Sequence, residues 1–287
     1  MTGWMGLHAY WRRTVKAIFV PLLGTQSDHH ALTAAKSLAA GFGATVNCVH
    51  VRLDINADLA LATREVTWRI EREENERSGI ARAEFDRGFG SGTAGGASQS
   101  GITAQWREIV GYPSDEYAYH GRMHDAVVVA REKLLPEHCG EIVMQTGRPV
   151  IVACARPVEK IGETVLVAWN NSAESAKALT AAMPILCRAK KVVLAGSPPT
   201  MIDEEEARQS LEQLGELLSL HAIRPEIRLL TKANGDEANA IKEAAYEANC
   251  DLVVMGAYGR SRLREYLFGG VTREFLKECE IPVMLLH

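Results

Sequence analysis

The chain of 287 residues is long enough for two domains of about 150 residues each. Apolar residues make up 47% and charged residues 24%, ordinary globular proportions that exclude a disordered chain. Its 32 Lys and Arg against 36 Asp and Glu leave a formal charge of −4, which argues against a protein built to track nucleic acid. No apolar run approaches the ~18–20 residues of a membrane span.

At the amino terminus, Trp4, Met5 and Leu7 come before Arg12, Arg13 and Lys16, the reverse of the charge-then-apolar order of a secretion signal. The six cysteines are widely scattered and form no C-x-x-C pair, and the five in or beside apolar stretches read as small reduced hydrophobes in a cytoplasmic protein. His138-Cys139 lacks two of the four ligands that a structural zinc takes, and no metal is predicted.

Two segments then read alike. Ala17 opens AIFVPLLGTQSDHHALTAAKSLA and Thr164 opens TVLVAWNNSAESAKALTAAMPIL, each an apolar run, a short polar turn and ALTAA, at Ala31–Ala35 and Ala178–Ala182, 147 positions apart. Asp125-Ala-Val-Val-Val-Ala matches Asp251-Leu-Val-Val-Met-Gly at a spacing of 126, and Pro149 matches Pro282 at a spacing of 133. Three matches in one order indicate a duplication. The first half carries 21 extra residues in its middle: a charged helix-like stretch, Leu61–Arg87, then a flexible surface loop, Gly88–Gly101. Within that stretch Arg69, Glu71, Arg72, Glu73, Glu74, Glu76 and Arg77 read as a solvated mixed-charge face. His29 and His30, in the first polar turn, read as a solvated loop pair. The second half carries seven extra residues between its Asp-Leu-Val-Val strand and its Pro-Val strand, the place to look for chemistry.

In the second half the predicted elements are strand Thr164–Trp169, helix Glu174–Cys187, strand Lys191–Ala195 and helix Asp203–His221, the last with Leu211, Leu214, Leu217 and Leu218 on one face. Strand Glu226–Leu230, helix Asp236–Ala248, strand Asp251–Met255, a helix holding Thr272–Lys277 and strand Pro282–Leu286 follow. Strands of continuous Val, Ile and Leu belong to parallel sheets covered on both faces. The fold class is α/β: two doubly wound domains, each with an open, mostly parallel five-stranded sheet.

After the Asp251–Met255 strand, glycines at 256, 259, 269 and 270 give G-x2-G-x9-G-G-V-T ahead of a helix. This places glycine turns at the carboxyl end of a central strand, where open parallel sheets bind ligands. Backbone amides there approach a phosphate with no Cβ in the way, and the helix terminus favours an anion. Thr272 is placed to cap that helix or to donate to a phosphate. Taken structurally, the same glycines would merely turn the chain. Arg260, Arg262 and Arg264 either close over phosphates or, for Arg262 and Arg264, face solvent or a partner domain.

These residues resemble the universal stress protein family, as two such domains in one chain at 14–155 and 160–287. The resemblance rests on the first-strand pattern with ALTAA, the Asp-Leu-Val-Val-Met-Gly strand, and the glycine pattern closed by a Pro-Val strand. It implies a stress-response or signalling protein that binds an adenine nucleotide of the ATP type in the second domain only. Met255 and Gly256 would line the ribose and phosphate side, and Gly259, Gly269, Gly270, Val271 and Thr272 would hold the phosphates. Ala168 and Ser197 would flank the adenine. Gly270 departs from the family's Ser/Thr; Asn170 stands for the aspartate ending the first strand, and Asn171 for the glycine after it. In the first half Leu23 replaces that aspartate and Ala130 and Arg131 replace the first glycine turn, so this half is expected to be structural. The resemblance also implies that the apolar Pro-Val edges pair the halves as an intramolecular pseudo-dimer, and that whole chains form a homodimer. The alternatives are a nucleotide-free dimerisation scaffold and, with no acid pair or triad visible, a slow nucleotide hydrolase.

Overall fold

Runs of Val, Ile and Leu bounded by polar turns become strands because a branched apolar side chain packs well on both faces of a covered sheet. The structure, a computed structural model, describes residues 15–54, 63–90, 101–131, 136–154, 160–196, 204–230, 236–257, 270–278 and 280–287. The chain divides into two compact units, one spanning Val15–Glu159 and one containing Lys160–His287.

Unit one runs β1 (Ala17–Leu22), α1 (Asp28–Phe42), β2 (Thr45–Arg52), α2 (Arg64–Phe89), β3 (Ala104–Val110), α3 (Pro113–Arg122), β4 (Ala126–Ala130), α4 (Pro136–Thr146) and β5 (Val150–Ala153). Unit two runs β6 (Thr164–Ala168), α5 (Ala173–Leu186), β7 (Lys191–Gly196), α6 (Glu204–Ser219), β8 (Glu226–Leu229), α7 (Glu237–Glu247), β9 (Leu252–Gly256), α8 (Gly270–Glu278) and β10 (Val283–Leu286). The strand orders are β3-β2-β1-β4-β5 and β8-β7-β6-β9-β10. Every pairing inside the described units is parallel. In unit one, α1 packs with α2 on one face and α3 with α4 on the other.

The order reverses between β1 and β4 and between β6 and β9, which sets a crevice at the carboxyl ends of those strands. The opposite edge is closed in the same way in both units. The Asp125 carboxylate accepts from the amides of Lys16 at 2.8 Å and Ala17 at 3.0 Å. Its counterpart Asp251 accepts from Gly162, Glu163 and Thr164 at 2.6, 3.0 and 2.9 Å. The aspartate that opens each copy's fourth strand therefore fastens the start of its first.

The core of each unit lies on both faces of its sheet. Phe19, Leu22, Leu38, Phe85 and Phe89 are fully buried in unit one, and Leu166, Leu186, Leu194, Leu211 and Phe275 in unit two. Such side chains each contribute about 1.5–3 kcal/mol on leaving water. Helix α1 ends at Gly43, whose φ of 64° is left-handed and whose amide donates to Ala39 O.

Three expectations shift. Leu211, Leu214 and Leu218 are buried under α6, but Leu217 is 48% exposed, because four leucines over two turns exceed the arc that meets the sheet. Helix α8 already begins at Gly270, so Thr272 lies inside the first turn and is buried rather than capping the helix. Gly88 belongs to α2 rather than to the loop, of which residues 91–100 lie outside the described residues.

Candidate functional site

In unit two, the register Val165↔Leu252 to Val167↔Val254 sets Ala168 beside Met255 at the carboxyl edge. The chain leaves β6 through Trp169, Asn170 and Asn171, and Asn171 has a left-handed φ of 56°. Asparagine is among the few non-glycine residues that take this conformation readily. Asn170 Oδ1 accepts from the Ser172 amide at 3.2 Å. Ser172 and Ser175 then form a reciprocal cap on α5, with Ser175 N donating to Ser172 Oγ at 3.1 Å and Ser172 N to Ser175 Oγ at 3.1 Å.

Glycine is required where the strand ends come closest to other backbone. A Cβ on Gly256 would stand 2.6 Å from Glu174 C and from Ser175 N, so the end of β9 abuts the first turn of α5. A Cβ on Gly196 would stand 2.8 Å from Trp169 O and 3.2 Å from Leu211 Cδ2. Trp169, half-buried, donates from its amide to Ala195 O at 2.8 Å and from its indole Nε1 to Ser210 Oγ at 3.1 Å, tying the turn to α6.

The structure thus brings Ala168, Asn170, Met255 and Gly256 to one edge. Ala168 is half-buried and Asn170 exposed, whereas the Met255 side chain is buried in the core, leaving its backbone for the edge. Gly270, Val271 and Thr272 form the first turn of α8, whose leading amides have no intrahelical acceptor. Ser197, Gly259, Gly269, Arg260, Arg262 and Arg264 lie outside the described residues.

The equivalent edge of unit one is packed with polar groups. Asp28, fully buried, accepts from the amides of Leu23 at 3.0 Å, Gly24 at 2.9 Å and Thr25 at 3.3 Å. Gly24 has a φ of 72°, the same left-handed turn as Asn171 in the other copy, and Asp28 holds the position of Ser175. Arg77 of α2 donates from Nε and Nη2 to Leu23 O at 3.1 and 3.0 Å, and from Nη1 to Glu74 Oε1 at 3.1 Å. Glu74, 3% exposed, accepts from the Leu53 amide at 3.1 Å. Leu22 O accepts from His50 Nδ1 at 2.8 Å and from the Tyr117 hydroxyl at 3.0 Å. Burial pushes the His50 imidazole below its ordinary pKa and the Tyr117 phenol above its own.

The register Leu22↔His50 and the pairing Ala168↔Ala195 make His50 the counterpart of Gly196. Where unit one carries an imidazole, unit two carries no side chain. The reading of Glu74 and Arg77 as solvated is corrected here: Glu74 is buried on the Leu53 amide, and Arg77, still half-exposed, reaches in to Leu23 O. Asp28, His50 and Tyr117 were not singled out from the sequence. Helix α2, 26 residues long against 16 in its counterpart α6, takes up part of the 21 extra residues, which were the available signal.

The His29–His30 pair also differs from expectation. The two rings, with centroids 3.7 Å apart, are half-buried in the first turn of α1, and His29 Nδ1 bonds to Gln26 O. The adjacent Asp28 carboxylate faces the backbone amides. Among the described residues no group of three His, Cys, Asp or Glu could hold a metal ion. Cys48 and Cys250 are free thiols, and no described helix is long and apolar enough to cross a membrane.

Residues 163–287 match the universal stress protein family. This is the half that carries the G-x2-G-x9-G-G segment. Over 90 residues the chain is 28% identical to the stress response protein NhaX of Bacillus subtilis (strain 168), a match covering 31% of this chain. The chain spans about half the length of that curated relative, 52%. A universal stress protein from Archaeoglobus fulgidus DSM 4304 is similar in structure, with a TM-score of 0.71 at 13% identity over 94% of this chain and 97% of its own. A functionally unknown protein from Pseudomonas aeruginosa PAO1 has a TM-score of 0.58 at 16% identity, over 96% and 94%. At these identities the two structures attest the fold, α/β with a parallel sheet, and nothing finer.

Proposed function

We propose that the chain is a stress-response or signalling protein whose second unit binds an adenine nucleotide of the ATP type, while its first unit is a structural copy. The contrast between two equivalent edges carries this reading. In unit one Asp28, His50, Glu74, Arg77 and Tyr117 satisfy the backbone groups a ligand would meet. In unit two serine replaces Asp28, glycine replaces His50, and the chain goes on into a glycine segment that leads to the first turn of α8.

In this reading Ala168 borders the base and the Asn170 amide bonds a ribose hydroxyl. The backbone of Met255, Gly256 and Gly259 guides the ribose and phosphates, and the amides of Gly269, Gly270, Val271 and Thr272 receive the phosphates. The buried Thr272 hydroxyl and the absent hydroxyl at Gly270 leave this work mainly to backbone. Asn170 brings no charge, so the turn after β6 does not supply a carboxylate to a metal.

Protein purified from its expression host should release ATP, ADP or AMP on denaturation, at about one per chain by mass spectrometry. Gly259→Asp should emerge empty, because a carboxylate would face the phosphates. A bare protein that also ignores millimolar ATP would overturn the proposal. It would favour a nucleotide-free scaffold built on chain dimers, a reading that Asn170, already bonded to Ser172 N, and Gly270 support.

A further inference from the structure

We propose that the first half of helix α2 is an acid-released element of unit one, with His50 as the group whose protonation lifts it. The inference is independent of nucleotide binding. His50 is fully buried at the carboxyl end of β2, and its Nδ1–H donates to Leu22 O at 2.8 Å. That bond places the lone pair on Nε2, which is out of water and has no hydrogen-bond partner among the described residues. An unpaired buried acceptor is costly, and the same atom is where an added proton must go.

The imidazole lies on the face that α2 covers. Its ring is nearly parallel to Trp106, at 12° with centroids 6.5 Å apart, and Trp106 packs against Phe85 and Arg82 of α2. Charged and titratable groups reach this region from every neighbouring element: Asp28 from α1, Glu74 and Arg77 from α2, Cys48 and Arg52 from β2, Glu108 from β3 and Tyr117 from α3. Each carboxylate is already engaged. Asp28 holds the amides of residues 23–25, Glu74 holds Leu53 N and Arg77, and Glu108 holds Ser78 and Arg52. Arg77 opposes a second positive charge beside it. Burial outweighs the pull of Glu108 and Glu74 and lowers the imidazole pKa below its ordinary value.

A proton on Nε2 therefore needs water, and water enters where α2 lifts. The stretch Glu74–Ser78 ties the first half of the helix to the strand ends, Glu74 to Leu53 N, Asn75 to Arg52, Arg77 to Leu23 O and Ser78 to Glu108, while Lys36 of α1 holds Gly88 O at the other end. Phe85 and Phe89, both buried, anchor the other end. The expected opening is a hinge in which residues 64–78 detach and residues 81–89 stay.

Hydrogen exchange on the full chain, corrected for intrinsic rates, tests this between about pH 7.5 and about pH 5. Protection over residues 64–78 should fall about tenfold in acid while β1, β4 and residues 81–89 keep theirs. His50→Asn retains an amide donor toward Leu22 O but cannot titrate, and its protection should not change with pH. Three results would overturn the proposal: no loss in the wild type, an equal loss in His50→Asn, or simultaneous loss across all of unit one. Should that variant be unprotected at neutral pH, imidazole nitrogen shifts in ¹⁵N-histidine wild-type protein decide. The titration of His50 must then share its midpoint with the loss of protection, and separate midpoints overturn the assignment.

Discussion

Asp28 gives its two oxygens to three backbone amides past β1. Asp28→Ala should destabilise unit one by about 2–4 kcal/mol, since buried donors to a charged acceptor lose their partner; urea denaturation followed by exchange in β1 would measure it. Gly256 makes the opposite kind of demand. Its α-hydrogen faces the backbone of Glu174 and Ser175 where a methyl would stand at 2.6 Å. Gly256→Ala should cost about 1–3 kcal/mol by displacing α5 from β9, and should loosen exchange in α5 while leaving β1 unchanged. Neither position announced itself by residue type. A glycine after a strand reads equally as a turn or a ligand site, and an aspartate beside two histidines reads as loop. The neighbouring backbone decides the role, and that backbone comes from residues far along the chain.

Helices and strands were legible where a pattern repeats. ALTAA, the Asp-led strands and the Pro-Val strands located β1, β4, β6, β9 and both end strands, because a strand covered on both faces must be apolar throughout. Helix α2 was legible as a helix and illegible as a lining, because its inward Glu74 and Arg77 satisfy backbone rather than core, and periodicity counts only apolar residues. His124, partly buried after α3, also has its imidazole pKa lowered, mainly by desolvation. Folded unit one thus prefers both His50 and His124 neutral, whereas the unfolded chain takes up protons near pH ~6.5. Stability is fully present above that value and falls as pH drops below it. Thermal midpoints of unit one should therefore decline steadily from about pH 7 to about pH 5, and His124→Asn should flatten part of the slope. A flat profile in the wild type would contradict it.

At the scale of the molecule, two copies share strand order, turn geometry and the aspartate fastening, yet differ at the edge where ligands bind in such sheets. Asp251→Ala should loosen β6 by about 2–4 kcal/mol, and Asp125→Ala should do the same to β1. In each, amide exchange should rise at the amino edge before the carboxyl edge. The candidate site was legible as a place, since G-x2-G-x9-G-G follows a central strand. The packing of unit one was not, because it depends on side chains brought together from α1, α2, β2 and α3. The fastening by Asp125 and Asp251 also bears on how two units of one strand order come to differ at one edge. With cohesion secured at one end of the sheet, the far end is open to mutation without loss of the fold. Unit one has filled its carboxyl edge with Asp28, His50, Glu74, Arg77 and Tyr117, drawn from four elements, while keeping the strand order it shares with unit two.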